Sequence, residues 1–281
     1  MKITVDDFST GYDGVEVLHH IGFSIDLPGI YVVLGKNGAG KTTLFRAMAG
    51  MLKPFTGSIT FDGVPQAQSK VGIAYLSHKY SIPAGLTVRA AMKFFGNVEG
   101  VSSEEVSKII EEFNLRELLD KNVQGLSQGQ RKRVSLAKSL IGNKSLMILD
   151  EPTANLDPKV SAEIREFITR QARNSIVMYS SHNLYEAMDI GTEVIALNAG
   201  KVVYAGDISG LKTDNYKIGI RGKGIENLTT DYTIDGKYFI FNLKSPAEAA
   251  ELISKLTSSG AMIYEVKDLS NPLGRFFDDA S

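Results

Sequence analysis

The run Gly35-Lys36-Asn37-Gly38-Ala39-Gly40-Lys41-Thr42-Thr43 puts glycine, glycine, lysine and a hydroxyl at the offsets of the phosphate-binding pattern G-x-x-x-x-G-K-[ST]. An apolar run, 30–34, precedes it and a helix-like run, 44–51, follows, which is the strand, loop and helix context the pattern needs. Glycine reaches backbone conformations closed to residues with a Cβ. Successive N–H groups can therefore turn inward at phosphate oxygens, at the positive end of the following helix. Lys41 would reach β- and γ-phosphates. Thr42 would offer its hydroxyl to Mg²⁺, a cation that takes hard oxygen ligands and bridges those phosphates in such sites.

A second group lies about 110 residues downstream, where the apolar run 145–149 ends in Asp150-Glu151-Pro152. A hydrophobic strand that delivers a carboxylate at its C-terminal end can hold the metal, directly or through water. Glu151 could accept the proton of an attacking water, a role worth ~10² to 10⁴-fold in rate. Between the two groups, Leu126-Ser127-Gln128-Gly129-Gln130 leads into a helical segment, 131–140. With Ser127 as its cap this is either a plain helix start or a second anion-binding N-terminus with no lysine of its own. Arg131, Lys132 and Arg133 read as the solvated face of that helix rather than as a nucleic-acid contact. Tyr12, in the turn between Gly11 and Gly14, could be an adenine platform or a half-packed turn tyrosine. His182 ends the predicted strand 175–180, on the edge where α/β proteins bind ligands, though a lone histidine is more often structural. His19 and His20 have no partner at metal or catalytic spacing and read as surface residues.

The elements around these residues follow from their periodicity. Alternation over 1–26 reads as short strands joined by turns; 57–62 and 71–77 read as two more strands. Helical stripes follow at Val88, Ala91, Met92 and Phe95, and at Val106, Ile109, Ile110 and Phe113 behind a Ser102-x-x-Glu105 capping box. They make 81–142 a mostly helical insertion. A helix over 159–173 and a hairpin over 194–204 follow. From about residue 211 the texture changes to strands 216–220 and 237–243, a helix 246–256 and a strand 261–266, an α+β appendix with no catalytic constellation.

Composition is that of an ordinary globular chain: 281 residues, 43% hydrophobic, 22% charged, net charge −1 and pI near 6.5. There is no global basic field to draw nucleic acid, and the lack of cysteine rules out disulfides and thiolate metal sites. No apolar run of about 18 residues and no leader is visible, so a role at a membrane is expected to run through a partner.

Taken in order, these motifs resemble the ATP-binding cassette (ABC) ATPases, specifically the nucleotide-binding subunit of an ABC transporter. The resemblance covers roughly 1–210. It rests on Tyr12 at the aromatic-loop position, 35–43 as Walker A, LSQGQ (126–130) in place of LSGGQ, LMILDE (146–151) as Walker B, NLD (155–157) as the D-loop and His182 as the switch histidine. It implies a P-loop α/β core with an N-terminal antiparallel β subdomain and a helical insertion, plus a small C-terminal α+β subdomain over 211–281. It implies ATP and Mg²⁺, with Glu151, His182 and Lys41 in catalysis. Nucleotide contacts would come from Tyr12, Gly35, Asn37, Gly38, Ala39, Gly40, Lys41, Thr42, Thr43, Ser127, Gly129 and Asp157. The metal would be held by Thr42, Asp150 and His78. Two cassettes would pair head to tail, as a homodimer, each ATP lying between one subunit's Walker A and the other's Ser127 and Gly129.

The partner implied is a transmembrane permease subunit, with this chain at the cytoplasmic face of the membrane and no nucleic acid involved. A soluble ABC ATPase acting as an assembly factor is the other reading. The appendix is similar to C-terminal extensions of drug-, antibiotic- or ABC-2-type exporters, with 271–277 where a short terminal helix is often carried, so export is expected over import. One position departs from the family: His78 stands where the Q-loop glutamine is usual, and an imidazole nitrogen is a poorer Mg²⁺ ligand than an amide oxygen.

Overall fold

The phosphate loop hangs from β3 (Gly29–Leu34), a strand buried at every one of its six positions. Only a strand covered on both faces reads as an unbroken apolar run. β3 is central to a six-stranded sheet of order β10-β9-β3-β8-β7-β6, formed with β6 (Ile73–Leu76), β7 (Leu146–Leu149), β8 (Ile176–Ser180), β9 (Glu193–Asn198) and β10 (Lys201–Asp207). All neighbours pair in parallel except β9 and β10, which make the predicted hairpin. Ala199 and Gly200 both have positive φ, the geometry of a two-residue turn that matches strand twist.

The computed structural model describes residues 1–77, 82–83, 85–181, 188–208, 216–229 and 231–269. His78, His182 and the short helix expected over 271–277 lie outside them. The chain divides into two compact units, Met1–Ile208 and Ser209–Ser281.

In the first unit, β1 (Ile3–Tyr12), β2 (Val15–Ile25), β4 (Thr56–Phe61) and β5 (Val64–Pro65) form an antiparallel sheet of order β2-β1-β4-β5. The short strands expected at the N-terminus are in fact one long hairpin, interrupted by register shifts after Val5, Phe8 and Thr10. Bulges break the alternation along a strand without ending it, so a two-residue period loses phase there. Helix α1 (Lys41–Met48) packs its buried Leu44, Phe45, Ala47 and Met48 into the same core as Ile3, Phe8, Ile21, Val33 and Ile148.

The helical segment contains α2 (Val88–Glu99), α3 (Ser103–Glu112) and α4 (Gln128–Ser139). Thr87 caps α2 by accepting from the Ala90 N–H, and Gly100, with φ of 68°, ends it. The Ser102 and Glu105 capping box of α3 is formed on both sides. Val88, Ala91, Met92, Val106 and Phe113 are buried as their spacing requires. α5 (Pro158–Gln171) starts at its Asp157 cap, with proline in the first turn.

The second unit is an antiparallel sheet of order β12-β13-β11-β14, made of β11 (Tyr216–Lys223), β12 (Thr233–Asp235), β13 (Tyr238–Leu243) and β14 (Met262–Asp268), with helix α6 (Pro246–Ser258). Ile218, Ile220, Phe241, Ala249 and Leu256 form its core. β12 is absent from the sequence reading, although Asp235-Gly236, with Gly236 at φ 58°, is a hairpin signal pairing Asp235 with Tyr238.

Candidate nucleotide-binding site

The C-terminal ends of β3, β7 and β8 bring the phosphate loop, Asp150-Glu151 and Ser180-Ser181 to one edge of the parallel sheet, where open α/β sheets bind ligands. Two glycines of the loop have steric reasons to be there. A Cβ on Gly35 would lie 2.6 Å from the Leu197 carbonyl oxygen and 2.8 Å from the Ala39 Cβ. Gly40, at φ 103°, would press a Cβ to 2.7 Å from a Leu18 methyl. Gly38 also has positive φ, of 83°, while Asn37 is exposed and Ala39 buried.

Lys41 opens α1 with its side chain folded over the loop, its Nζ donating to the carbonyls of Gly35 at 2.7 Å and Lys36 at 3.2 Å. Burial lowers its pKa, and Glu151 and Asp150 work against that shift. Thr42 Oγ1 donates to Asp150 Oδ2 at 2.9 Å. The other Asp150 oxygen accepts from Ser180 Oγ at 2.8 Å, so a carboxylate only 2% exposed is held from one strand and one helix.

Mg²⁺ wants oxygen donors and usually keeps waters and substrate phosphates among its ligands. A hydroxyl and a carboxylate already in contact suit such an ion, and among the described residues no cluster of three or more His, Cys, Asp or Glu offers an all-protein cage instead. Thr42 and Asp150 therefore fit Mg²⁺.

Glu151 is half-buried and sits at φ of 50°, in the left-handed region that residues with a Cβ seldom adopt. Its N–H donates to Ser180 Oγ at 2.9 Å. Its carbonyl accepts from Lys132 Nζ at 2.9 Å and from the Ala154 N–H at 3.3 Å. It lines an open cleft with Thr153, Asn155, Arg165, Ser180 and Ser181.

Lys132 corrects the sequence reading. It is 4% exposed rather than solvated, and burial lowers its pKa to about 8 against the pull of Asp150 and Glu151. Helix α4 buries Lys132, Val134, Ser135, Leu136, Ala137 and Ser139, more than one face. A single amphipathic stripe was the wrong template for it. The legible signal was that Lys132 lies three and four residues before Ser135 and Leu136, on the inward side.

Ser127 caps α4 in a reciprocal box with Gln130. The Gly129 Cβ position meets only ordinary contacts, Val160 at 3.5 Å being nearest, and its φ is not positive, so the fold of this chain does not itself require glycine there. Leu156 lies within 3.9 Å of the same position, so the start of α4 and the 155–157 turn are neighbours. Asp157 is exposed and accepts from the Val160 N–H at 3.0 Å.

Tyr12 is half-buried. Its hydroxyl accepts from Arg46 Nη1 at 3.1 Å and lies 3.5 Å from Thr43 Oγ1, while the guanidinium carbon stands 5.8 Å from the ring centroid. Arg46 was missed in the sequence. It follows Thr42 and Thr43 by four and three positions on one helix, which puts it on their face. Ser180 was missed too, its only signal being its place at a strand's C-terminal end. His20, read as a plain surface residue, is exposed but meets Asp7 at 2.8 Å.

The profile of the ABC transporter family matches residues 18–154. The ABC transporter ATP-binding protein NatA of Bacillus subtilis is 30% identical over 224 residues, 74% of this chain and 91% of that protein. Among solved structures, an ATP-binding subunit of an ABC transporter superposes with a TM-score of 0.68 at 25% identity, over 75% of this chain and 92% of that one. A dimeric ATP-binding cassette in a post-hydrolysis state with ADP and Pi shares the fold, with a TM-score of 0.65 at 19% identity over 73% of this chain and 98% of that one. Relatives of similar identity carry names of import and of export systems. The α/β core with its antiparallel sheet and helical insertion is thus the cassette fold, and the chain belongs to the ABC transporter family as an ATP-binding subunit that hydrolyses ATP.

Proposed function

We propose that the chain is the energising subunit of a transporter whose membrane path is a separate protein, and that two copies close head to tail on two ATP molecules. The observation that carries the reading is the Thr42 to Asp150 contact of 2.9 Å beside the phosphate loop, with Glu151 next in sequence. Among the described residues no helix is long and apolar enough to cross a membrane; likeness to ATP-binding proteins named for transport systems supports a membrane partner, and with it a place at the cytoplasmic face.

In this reading the loop N–H groups and Lys41 bind the phosphates, and Tyr12, steadied by Arg46, offers its ring to the base. Thr42 and Asp150 hold Mg²⁺, which when bound neutralises charge on the β- and γ-phosphate oxygens. Glu151 orients water and takes its proton. Ser127 and Gly129 of each copy complete the other's site, and the freedom of Gly129 from internal constraint supports that role. Asp157, next in sequence to the Leu156 that neighbours Gly129, would reach the same junction. We further propose export as the direction, supported by the α+β unit that follows the cassette.

The test is to co-express this chain with any membrane protein found encoded next to it, purify the complex and reconstitute it into vesicles. ATP-dependent flux out of the compartment that holds this subunit is expected. Flux into that compartment would reverse the direction, and hydrolysis by a chain that captures no membrane protein would leave a soluble ATPase.

A further inference from the structure

Glu151 is clamped at both ends of its peptide. Ser180 of β8 accepts from its N–H, and Lys132 of α4 donates to its carbonyl, at 2.9 Å in each case. The clamp has something to hold, because a left-handed backbone at a residue with a Cβ persists only where surrounding contacts over-determine it. Ser180 also fixes Asp150, so the strand side of the clamp serves the metal carboxylate and Glu151 together. The helix side is separate. Lys132 lies one turn into the helix that begins at the Ser127 cap, and it is almost wholly buried. A cation taken out of water costs stability unless it is paired, so its position beside Asp150 and Glu151 asks for a purpose that an apolar residue would not serve.

We infer that Lys132 is a positioning residue for hydrolysis: by holding the Glu151 carbonyl it fixes the turn that aims the Glu151 carboxylate, and it ties that turn to the helix whose N-terminal end carries Ser127 and Gly129. A shift of α4 when its N-terminal end meets a second subunit's nucleotide would be passed through one side chain to the carboxylate of its own subunit. The inference rests on the reading of Glu151 as the general base. Misplacement of a catalytic group by about 1 Å is enough to cost on the order of 10²-fold in rate.

The experiment is steady-state hydrolysis by the purified full chain and its Lys132→Met, Lys132→Arg, Glu151→Gln and Lys132→Met/Glu151→Gln variants, with nucleotide affinity measured in parallel. Lys132→Met is expected to lower kcat at least about tenfold while KM for ATP and nucleotide affinity stay within about twofold. Lys132→Arg, which can still donate to a carbonyl, should recover most of that loss. In the double variant, Lys132→Met should lower the residual rate of Glu151→Gln no further, because both act through one carboxylate.

An unchanged kcat in Lys132→Met, or a tenfold loss repeated on top of Glu151→Gln, overturns the inference. If Lys132→Met does not fold, Lys132→Arg decides: kcat near the parent supports it, and a kcat loss with affinity kept in a folded arginine variant overturns it. Failure of the underlying reading looks different, because Glu151→Gln by itself would then hydrolyse ATP at the parent rate.

Discussion

Thr42 and Asp150 are 108 positions apart in sequence, and Thr42 Oγ1 lies 2.9 Å from Asp150 Oδ2. The parallel sheet makes that contact. β3 and β7 both flank β8, so the residues after their C-terminal ends share one edge. A hydroxyl and a carboxylate brought together there form a ready pair of oxygen donors.

Lys41→Ala is expected to remove hydrolysis and weaken ATP binding. Lys41 is buried against the loop that precedes it, and loss of a donor that would meet developing charge costs about 10² to 10³-fold in kcat. Titration with a fluorescent ATP analogue measures the binding arm. Affinity equal to that of the parent chain would dismiss Lys41 as a phosphate ligand.

Ser127→Ala and Gly129→Asp are expected to lower hydrolysis while isolated subunits still bind ATP, because in the proposed reading these residues act on the neighbour's nucleotide. The aspartate should do more harm, since it sets a negative charge against phosphate where screening is weak. Its effect on folding should be small, because the Gly129 Cβ position has room and an ordinary φ. Hydrolysis at one common rate in the two variants and the parent would contradict a site shared between subunits.

Stability should depend on pH through Lys132. Its pKa is about 8 in the folded chain against 10.5 in the unfolded one, so between those values the unfolded chain still holds a proton that the folded chain has released. Stability from this group is therefore full above about pH 10.5, decreases as pH falls toward 8, and levels off below. The slope is at most about 1.4 kcal/mol per pH unit. Burial shifts Lys41 and Lys138 the same way, so urea melts of Lys132→Met across pH 7 to 10 isolate its share. A slope equal to that of the parent would place the Lys132 amine in water.

The residues of the candidate site were legible where their pattern is local. The loop glycines, Lys41 and Thr42 are fixed by spacing within nine residues, and Asp150-Glu151 by a strand that ends abruptly in acid. Two supporting contacts that cross between elements were not legible. Ser180 supports Asp150 and Glu151 from another strand, and Lys132 reaches Glu151 from a helix 19 positions earlier. Neither contact leaves a periodic trace. The N-terminal hairpin was cut into pieces because its bulges shift the alternation, and β12 escaped because three residues are too few to set a period.

The central claim is that Glu151 supplies the base at a nucleotide that two copies close upon. It is tested most directly by size-exclusion chromatography with light scattering on Glu151→Gln with ATP and Mg²⁺, alongside its turnover. A dimer that retains ATP, with turnover lowered by about 10² to 10⁴-fold, is the predicted result. Turnover at the parent rate would contradict the assignment of Glu151 as the base, and a monomer that holds ATP without pairing would contradict the shared site.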